Sequence, residues 1–212
     1  MDRYKETFQT WNKVAKLYEE KFMSLQLYDD TYDAFCDLLP KINSAILEIG
    51  CGPGNITKYL LDRRPDLMIE AIDVSPAMIE LARVNNPKPK FSVMDSREID
   101  QFESKYEAVI SGFCLPYLSE EDCSKLFNDC RRLLNKNGII YLSFVEGERE
   151  QSGYQTASSG DRVYFYHHRL ENINAELQKN DFEILKVWNK AYHRTDVEKE
   201  KHTILIAQHS KT

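Results

Sequence analysis

Long apolar runs are missing from this chain, and none approaches the ~18 residues that a membrane span needs. The opening Met-Asp-Arg-Tyr-Lys-Glu is too polar for a secretory signal. Those two absences make a cytoplasmic protein, with no membrane partner, the expectation. No long basic run is present either, and the formal net charge is −6. A nucleic-acid partner normally demands a basic stripe, so neither DNA nor RNA is the expected partner. The five histidines show no metal-ligand spacing, and no metal site is expected. No C-x-x-C pair occurs among the five cysteines, Cys36, Cys51, Cys114, Cys123 and Cys130. The odd count and the spacing point to free, mostly buried thiols in a reducing compartment.

What is present fits one soluble unit. The chain has 212 residues, 42% of them hydrophobic and 29% charged, enough for one substantial core. Within it, residues 45–55 read Ala-Ile-Leu-Glu-Ile-Gly-Cys-Gly-Pro-Gly-Asn. Ile46, Leu47 and Ile49 make a short apolar run, as a buried strand of a parallel sheet does. Glu48 interrupts it near its carboxyl end, where burial demands a partner. Gly50, Gly52 and Gly54 then alternate with other residues, leaving bare backbone for a ligand to approach. Ile56, Tyr59, Leu60 and Arg63 follow at helical spacing. A dinucleotide fingerprint needs G-x-G-x-x-G. Here Asn55 stands where the third glycine of that pattern would fall, which counts against a nicotinamide-dependent oxidoreductase.

The rest of the chain alternates strand and helix patterns. Tyr4, Phe8, Trp11, Ala15, Tyr18, Phe22 and Leu25 recur at steps of four and three, giving one aromatic stripe on one helix. That stripe fits a cap packed on the core, and it also fits a lid over a ligand. A second helix is expected over 29–39, stopped by Pro40. Strands are expected over 68–72, 90–94, 106–111 and 139–145. Ser75 and Ser119 read as helix N-caps. Asn137-Gly138 reads as the turn into the strand at 139. Residues 146–160 lose nearly all apolar character and read as a long loop. A helix follows around Leu170, Ile173 and Leu177, then strands over 182–192 and 203–208. The charged gap between those last strands holds no helix, so they are expected to pair antiparallel. The divisions are a helical cap over 1–43, a ligand-binding core over 44–145, and a substrate-side segment over 146–212.

Glu48, the glycine loop, Asp73, Asp95 and Ser111 all fall at strand carboxyl ends, where open parallel sheets bind ligands. Asp73 lies about 20 residues past the loop, placed to accept ribose hydroxyls. Each also has a plain structural reading: a loop brace for Glu48, a helix cap for Asp73, a turn former for Asp95.

Glu-x-Gly-x-Gly-x-Gly with the later acids resembles the class I S-adenosylmethionine-dependent methyltransferases of small-molecule type, over roughly residues 44–145. The resemblance implies an α/β fold: a doubly wound, seven-stranded, mostly parallel sheet. Its strand order would be 3-2-1-4-5-7-6, with strand 7 antiparallel and an N-terminal helical cap. It implies S-adenosylmethionine as cofactor, held by Glu48, Gly50, Cys51, Gly52 and Gly54 at the loop. Asp73 would take the ribose, Asp95 and Ser96 the adenine edge, and Val74 and Met78, with Ile72, its faces. The Ser111 backbone would lie near the methionyl ammonium, and Tyr18 would meet the carboxylate. The acceptor would be a small molecule, with a protein substrate or a non-catalytic binding role as alternatives, in a monomer or homodimer. Methyl transfer needs chiefly alignment, so no universal catalytic residue can be sought. Tyr117, Tyr166, His167 and His168 are the candidates for a base or an orienting group, although the two histidines also fit cap or surface roles. Tyr117, Tyr164, Tyr166, Trp188 and Tyr192 are candidates for an acceptor pocket, or plain core.

Overall fold

Ile46, Leu47 and Ile49 are wholly buried because β1 (Ala45–Ile49) lies mid-sheet with helices on both faces. The computed structural model describes residues 3–39, 42–157, 160–193 and 199–209. Pro40, Ser158, Ser159 and residues 194–198 of the charged gap lie outside that set.

The elements run α1 (Arg3–Phe22), α2 (Asp29–Leu38), β1, α3 (Asn55–Arg63), β2 (Met68–Asp73), α4 (Pro76–Asn85), β3 (Lys90–Val93) and β4 (Tyr106–Ser111). Then come α5 (Glu120–Leu133), β5 (Leu134–Val145), β6 (Gly153–Thr156), β7 (Arg162–Phe165), α6 (Leu170–Lys179), β8 (Phe182–His193) and β9 (Lys199–His209). Seven strands form one sheet in the order β3-β2-β1-β4-β5-β9-β8. β9 runs antiparallel to both neighbours, and the pairs from β3 to β5 are parallel. This is the expected 3-2-1-4-5-7-6 order, with β8 and β9 as its sixth and seventh strands.

Alternating side chains feed two cores, one on each face. Leu47, Val109, Ile140 and Leu205 face α5 and α6. Ile46, Ala108, Tyr141 and Ile204 face α2, α3 and α4. Ser75 caps α4 and Ser119 caps α5, each hydroxyl accepting an amide of the first turn.

Three expectations need correction. Residues 146–160 are not one loop: β6 pairs antiparallel with β7 as a separate hairpin. None of the four β6 residues is fully buried, so no apolar period-2 signal marks the strand. β5 begins at Leu134, five residues before Ile139, and Asn137 with φ 62° is a left-handed kink within it. β9 begins at Lys199 rather than 203. Among the described residues no helix is long and apolar enough to cross a membrane.

Candidate functional site

The glycine loop is tied down by its own backbone. The amides of Gly50 and Cys51 both donate to the Ile72 carbonyl, at 2.8 and 2.9 Å. Gly52 N–H donates to Asp73 Oδ2 at 2.9 Å, and Gly54 N–H to the Cys51 carbonyl at 3.0 Å. A phosphate-cradling loop presents free amides to its anion. These four are consumed, so the loop offers a surface and not a set of donors. That argues for a ligand without a pyrophosphate.

The three glycines do different work. Gly50, Gly52 and Gly54 all have positive φ, of 70°, 53° and 82°. A Cβ on Gly54 would stand 2.5 Å from Asn86 Nδ2, whose amide donates to the Gly54 carbonyl. Gly54 therefore serves the close approach of α3 and α4. Gly50 and Gly52 line cavities.

The first cavity, about 110 Å³, opens at the carboxyl ends of β1, β2 and β3. Tyr18, Gly50, Gly52, Asp73, Val74, Met78, Asp95 and Ser96 from the sequence reading all line it. Asp73 Oδ2 receives Gly52 N–H, and its Oδ1 receives Ser75 N–H at 2.8 Å. Burial raises its pKa from the ordinary value, while the two amides oppose that shift. Asp95 is gripped by Arg97, whose Nε and Nη2 approach its carboxylate at 3.0 and 2.6 Å. Arg97 lies over the Tyr4 ring, 4.0 Å from its centre.

Glu48, Cys51, Gly54 and Ser111 lie outside the lining. Glu48 is wholly buried; Thr57 Oγ1 donates to its Oε2, and burial pushes its pKa up to about 8. It braces the loop from beneath. Cys51 is 2% exposed, its thiol held well above the usual range by burial. Ser111 is wholly buried at the end of β4.

The second cavity, about 260 Å³, shares Trp11, Tyr18, Gly50, Gly112, Phe113 and Tyr117 with the first. Its far walls are aromatic: Phe22, Tyr28, Tyr32, Phe165 and Tyr192. His202 and Glu200 from β9 and Lys21 from α1 add ionisable groups. Phe113 adopts φ 54°, unusual for a bulky residue, and is held by its amide donating to Ser143 Oγ at 2.9 Å. The α1 helix roofs both cavities. Asn12 Oδ1 accepts from Ala77 N–H at 2.9 Å and Asn85 Nδ2 donates to Glu19, latching α1 to α4.

Of the candidate catalytic groups, only Tyr117 lines these cavities. His168 is buried, its Nε2 donating to the Leu115 carbonyl at 2.9 Å. His167 packs against Gly147. Burial lowers the pKa of both histidines. Tyr166 is buried outside both linings. Of the expected acceptor-pocket group, Tyr117 and Tyr192 reach the second cavity, while Tyr164, Tyr166 and Trp188 do not. Tyr28, Phe113, Glu200 and His202 were missed. Period-2 alternation carried back from Ile204 through His202 to Glu200 is the signal that finds two of them.

Residues 46–138 match the family model described as a methyltransferase domain. The chain is 38% identical over 135 residues to a malonyl-[acyl-carrier protein] O-methyltransferase of Acetivibrio thermocellus, covering 63% of this chain and 47% of that protein. It thus spans about half the length of that relative. It is 34% identical over 172 residues to a tRNA N(3)-methylcytidine methyltransferase of Schizosaccharomyces pombe, covering 76% of this chain and 68% of that one. Magnesium protoporphyrin IX methyltransferase of Synechocystis, solved with S-adenosylhomocysteine, superposes with a TM-score of 0.75 at 17% identity, over 99% and 100% of the two chains. That last likeness carries the fold alone. With the loop, the strand-end acids and these relatives together, the chain belongs to the class I S-adenosylmethionine-dependent methyltransferases.

Proposed function

We propose that this chain transfers a methyl group to a small acceptor held in the aromatic cavity. One observation carries the reading: a carboxylate-lined cavity and an aromatic cavity abut at Gly50 and Gly112. In this reading Asp73 holds the ribose, Val74 and Met78 flank the adenine, and Asp95 and Ser96 border its edge. Glu48, Cys51 and Gly54 shape the loop from behind. When bound, S-adenosylmethionine supplies an electrophilic methyl on a positively charged sulfur. The residues fit that ligand: acids for hydroxyls and an amino group, apolar side chains for a ring, and a loop whose Gly50, Cys51, Gly52 and Gly54 amides are already paired. Tyr18, Trp11 and Tyr117 exclude water from the junction, and such positioning can contribute ~7–11 kcal/mol.

The lining narrows the acceptor. Lys21, Glu200 and His202 are its ionisable groups besides tyrosines, and no arginine is among the described lining residues. A di- or tricarboxylate would lack the planar, bidentate partner that suits it. A phenol or an amine matches aromatic walls with one acid and one imidazole.

A tRNA acceptor is the second reading, favoured by identity to the fission-yeast relative. The net charge of −6 counts against it. A protein substrate is a third. Incubation with methyl-labelled S-adenosylmethionine and separated pools of metabolites, protein and tRNA tests all three. Label in the metabolite pool is the expected result. Label confined to tRNA or protein overturns it, and no transfer to any pool supports a binding protein instead.

A further inference from the structure

Three ionisable side chains form a chain of hydrogen bonds along one wall of the aromatic cavity. Tyr28 Oη lies 2.7 Å from His202 Nδ1, and His202 Nε2 lies 3.1 Å from Glu200 Oε2. All three residues line the cavity. They come from distant places: Tyr28 immediately precedes α2, and the other two lie two residues apart on β9. The Tyr192 ring stacks on the imidazole at 4.9 Å and 14°, and Phe113 closes in at 4.8 Å. His202 is 5% exposed and Tyr28 is 6% exposed.

The tautomer follows from the partners. A carboxylate only accepts, so Nε2 carries the proton and donates it to Glu200. In the neutral imidazole Nδ1 is then an acceptor, and Tyr28 O–H donates to it. The phenol oxygen keeps lone pairs for a third group in the cavity. An acid behind an imidazole fixes its orientation and stabilises the imidazolium.

We propose that Tyr28, His202 and Glu200 are a proton relay that relieves the methyl acceptor of its proton. The proposal rests on the reading that this cavity holds the acceptor. As the acceptor's oxygen or nitrogen gains the methyl carbon and the carbon–sulfur bond breaks, its proton passes to Tyr28 Oη. The Tyr28 proton passes to His202 Nδ1. The positive charge lost from sulfur ends on the imidazolium, beside the Glu200 carboxylate, and a neutral thioether is left. Tyr28 is the catalytic residue, and His202 and Glu200 act through it as positioning residues. Burial holds the Tyr28 hydroxyl protonated, far above the ordinary phenol range. It therefore works by handing on one proton as it takes another, without standing as a phenolate. Among the described residues, the charged groups near the imidazole include Lys190, cross-strand from His202 and paired with Asp30 of α2, and Lys21 of α1 beside Tyr192. The described path itself runs only through Tyr28, His202 and Glu200.

The test uses 4-nitrophenol as a chromogenic stand-in for a protonated acceptor, added to the protein with S-adenosylhomocysteine. Below the midpoint of the free phenol, the wild-type protein is expected to raise the phenolate-to-phenol ratio about tenfold, one unit of pKa. Tyr28→Phe and Glu200→Gln each return the ratio to that of free solution. Histidine nitrogen NMR is expected to show His202 as the Nε2–H tautomer in the wild type and in Tyr28→Phe. An unshifted ratio in the wild type overturns the relay, as does an Nδ1–H tautomer. Calorimetry with S-adenosylhomocysteine keeps the two readings apart. If the wild type raises the ratio but binds no S-adenosylhomocysteine, the relay stands and the methyl-transfer reading fails.

Discussion

The carboxylate-lined cavity and the aromatic cavity meet at the same glycines, yet they are assembled in opposite ways. Apart from α1, the first draws on residues 50–118, strand ends and the turns that follow them in order. The second gathers Trp11, Tyr28, Phe113, Tyr192 and His202, from both ends of the chain. The first is therefore written locally, as strand, loop and acid. The second exists only after the sheet has brought β9 between β5 and β8. On the proposed reading, cofactor recognition belongs to the carboxyl ends of the strands, and acceptor recognition to what covers them.

Four substitutions sharpen or break that contrast. Gly54→Ala has the largest expected effect, because it sets a Cβ 2.5 Å from Asn86 at a φ of 82°. Overlap and backbone strain should lower stability by about 2–4 kcal/mol in urea unfolding. An unchanged midpoint would mean that this glycine serves the ligand and not the α3–α4 contact. Asp73→Ala should weaken S-adenosylmethionine binding by about 1–3 kcal/mol in calorimetry, by removing charged-group hydrogen bonds. Unaltered affinity would remove the ribose from this site.

Glu48→Gln should change the pH dependence of stability. The folded protein holds the Glu48 carboxyl protonated up to about pH 8, whereas the reference group ionises near 4.5. Between those values the unfolded chain has released a proton that the folded chain keeps. Stability should thus fall as pH rises through this window, by about 1.4 kcal/mol per pH unit, and level off above it. Denaturation of the Gln variant across the window should show a flatter profile, and parallel profiles would contradict the assignment. Tyr192→Leu is the mildest. Losing the ring stacked on His202 should cost about 0.5–1.5 kcal/mol of stability. Calorimetry should find S-adenosylmethionine affinity unmoved, and a loss of affinity would erase the division between the two cavities.

The same contrast decides what could be read from the sequence. The strand at 45–49, its glycine loop, Asp73 and the Ser75 cap are short-range patterns, and each stands where the spacing puts it. The hairpin of β6 and β7 was illegible because Gly153, Tyr154, Gln155 and Thr156 carry no buried face to alternate. Cys51 and Gly54 belong to the loop in sequence but face inward or toward Asn86, and spacing alone cannot separate lining from packing. His167-His168 drew attention as a doublet, yet His202 reaches the cavity because strand parity puts it beside Glu200 on the α2 side. Tyr28 stands just before the helix expected over 29–39, and only tertiary pairing gives its hydroxyl a partner.

Trp11 and Tyr18 stand in both linings, on one helix latched to α4. In the proposed reading, whatever a ligand in one cavity does to those two rings is felt by a ligand in the other. Thermodynamic reciprocity then requires each ligand to alter its companion's affinity by the same factor. A roof held in common makes the order of arrival a matter of kinetics, while the energy of the ternary complex is indifferent to which guest came first.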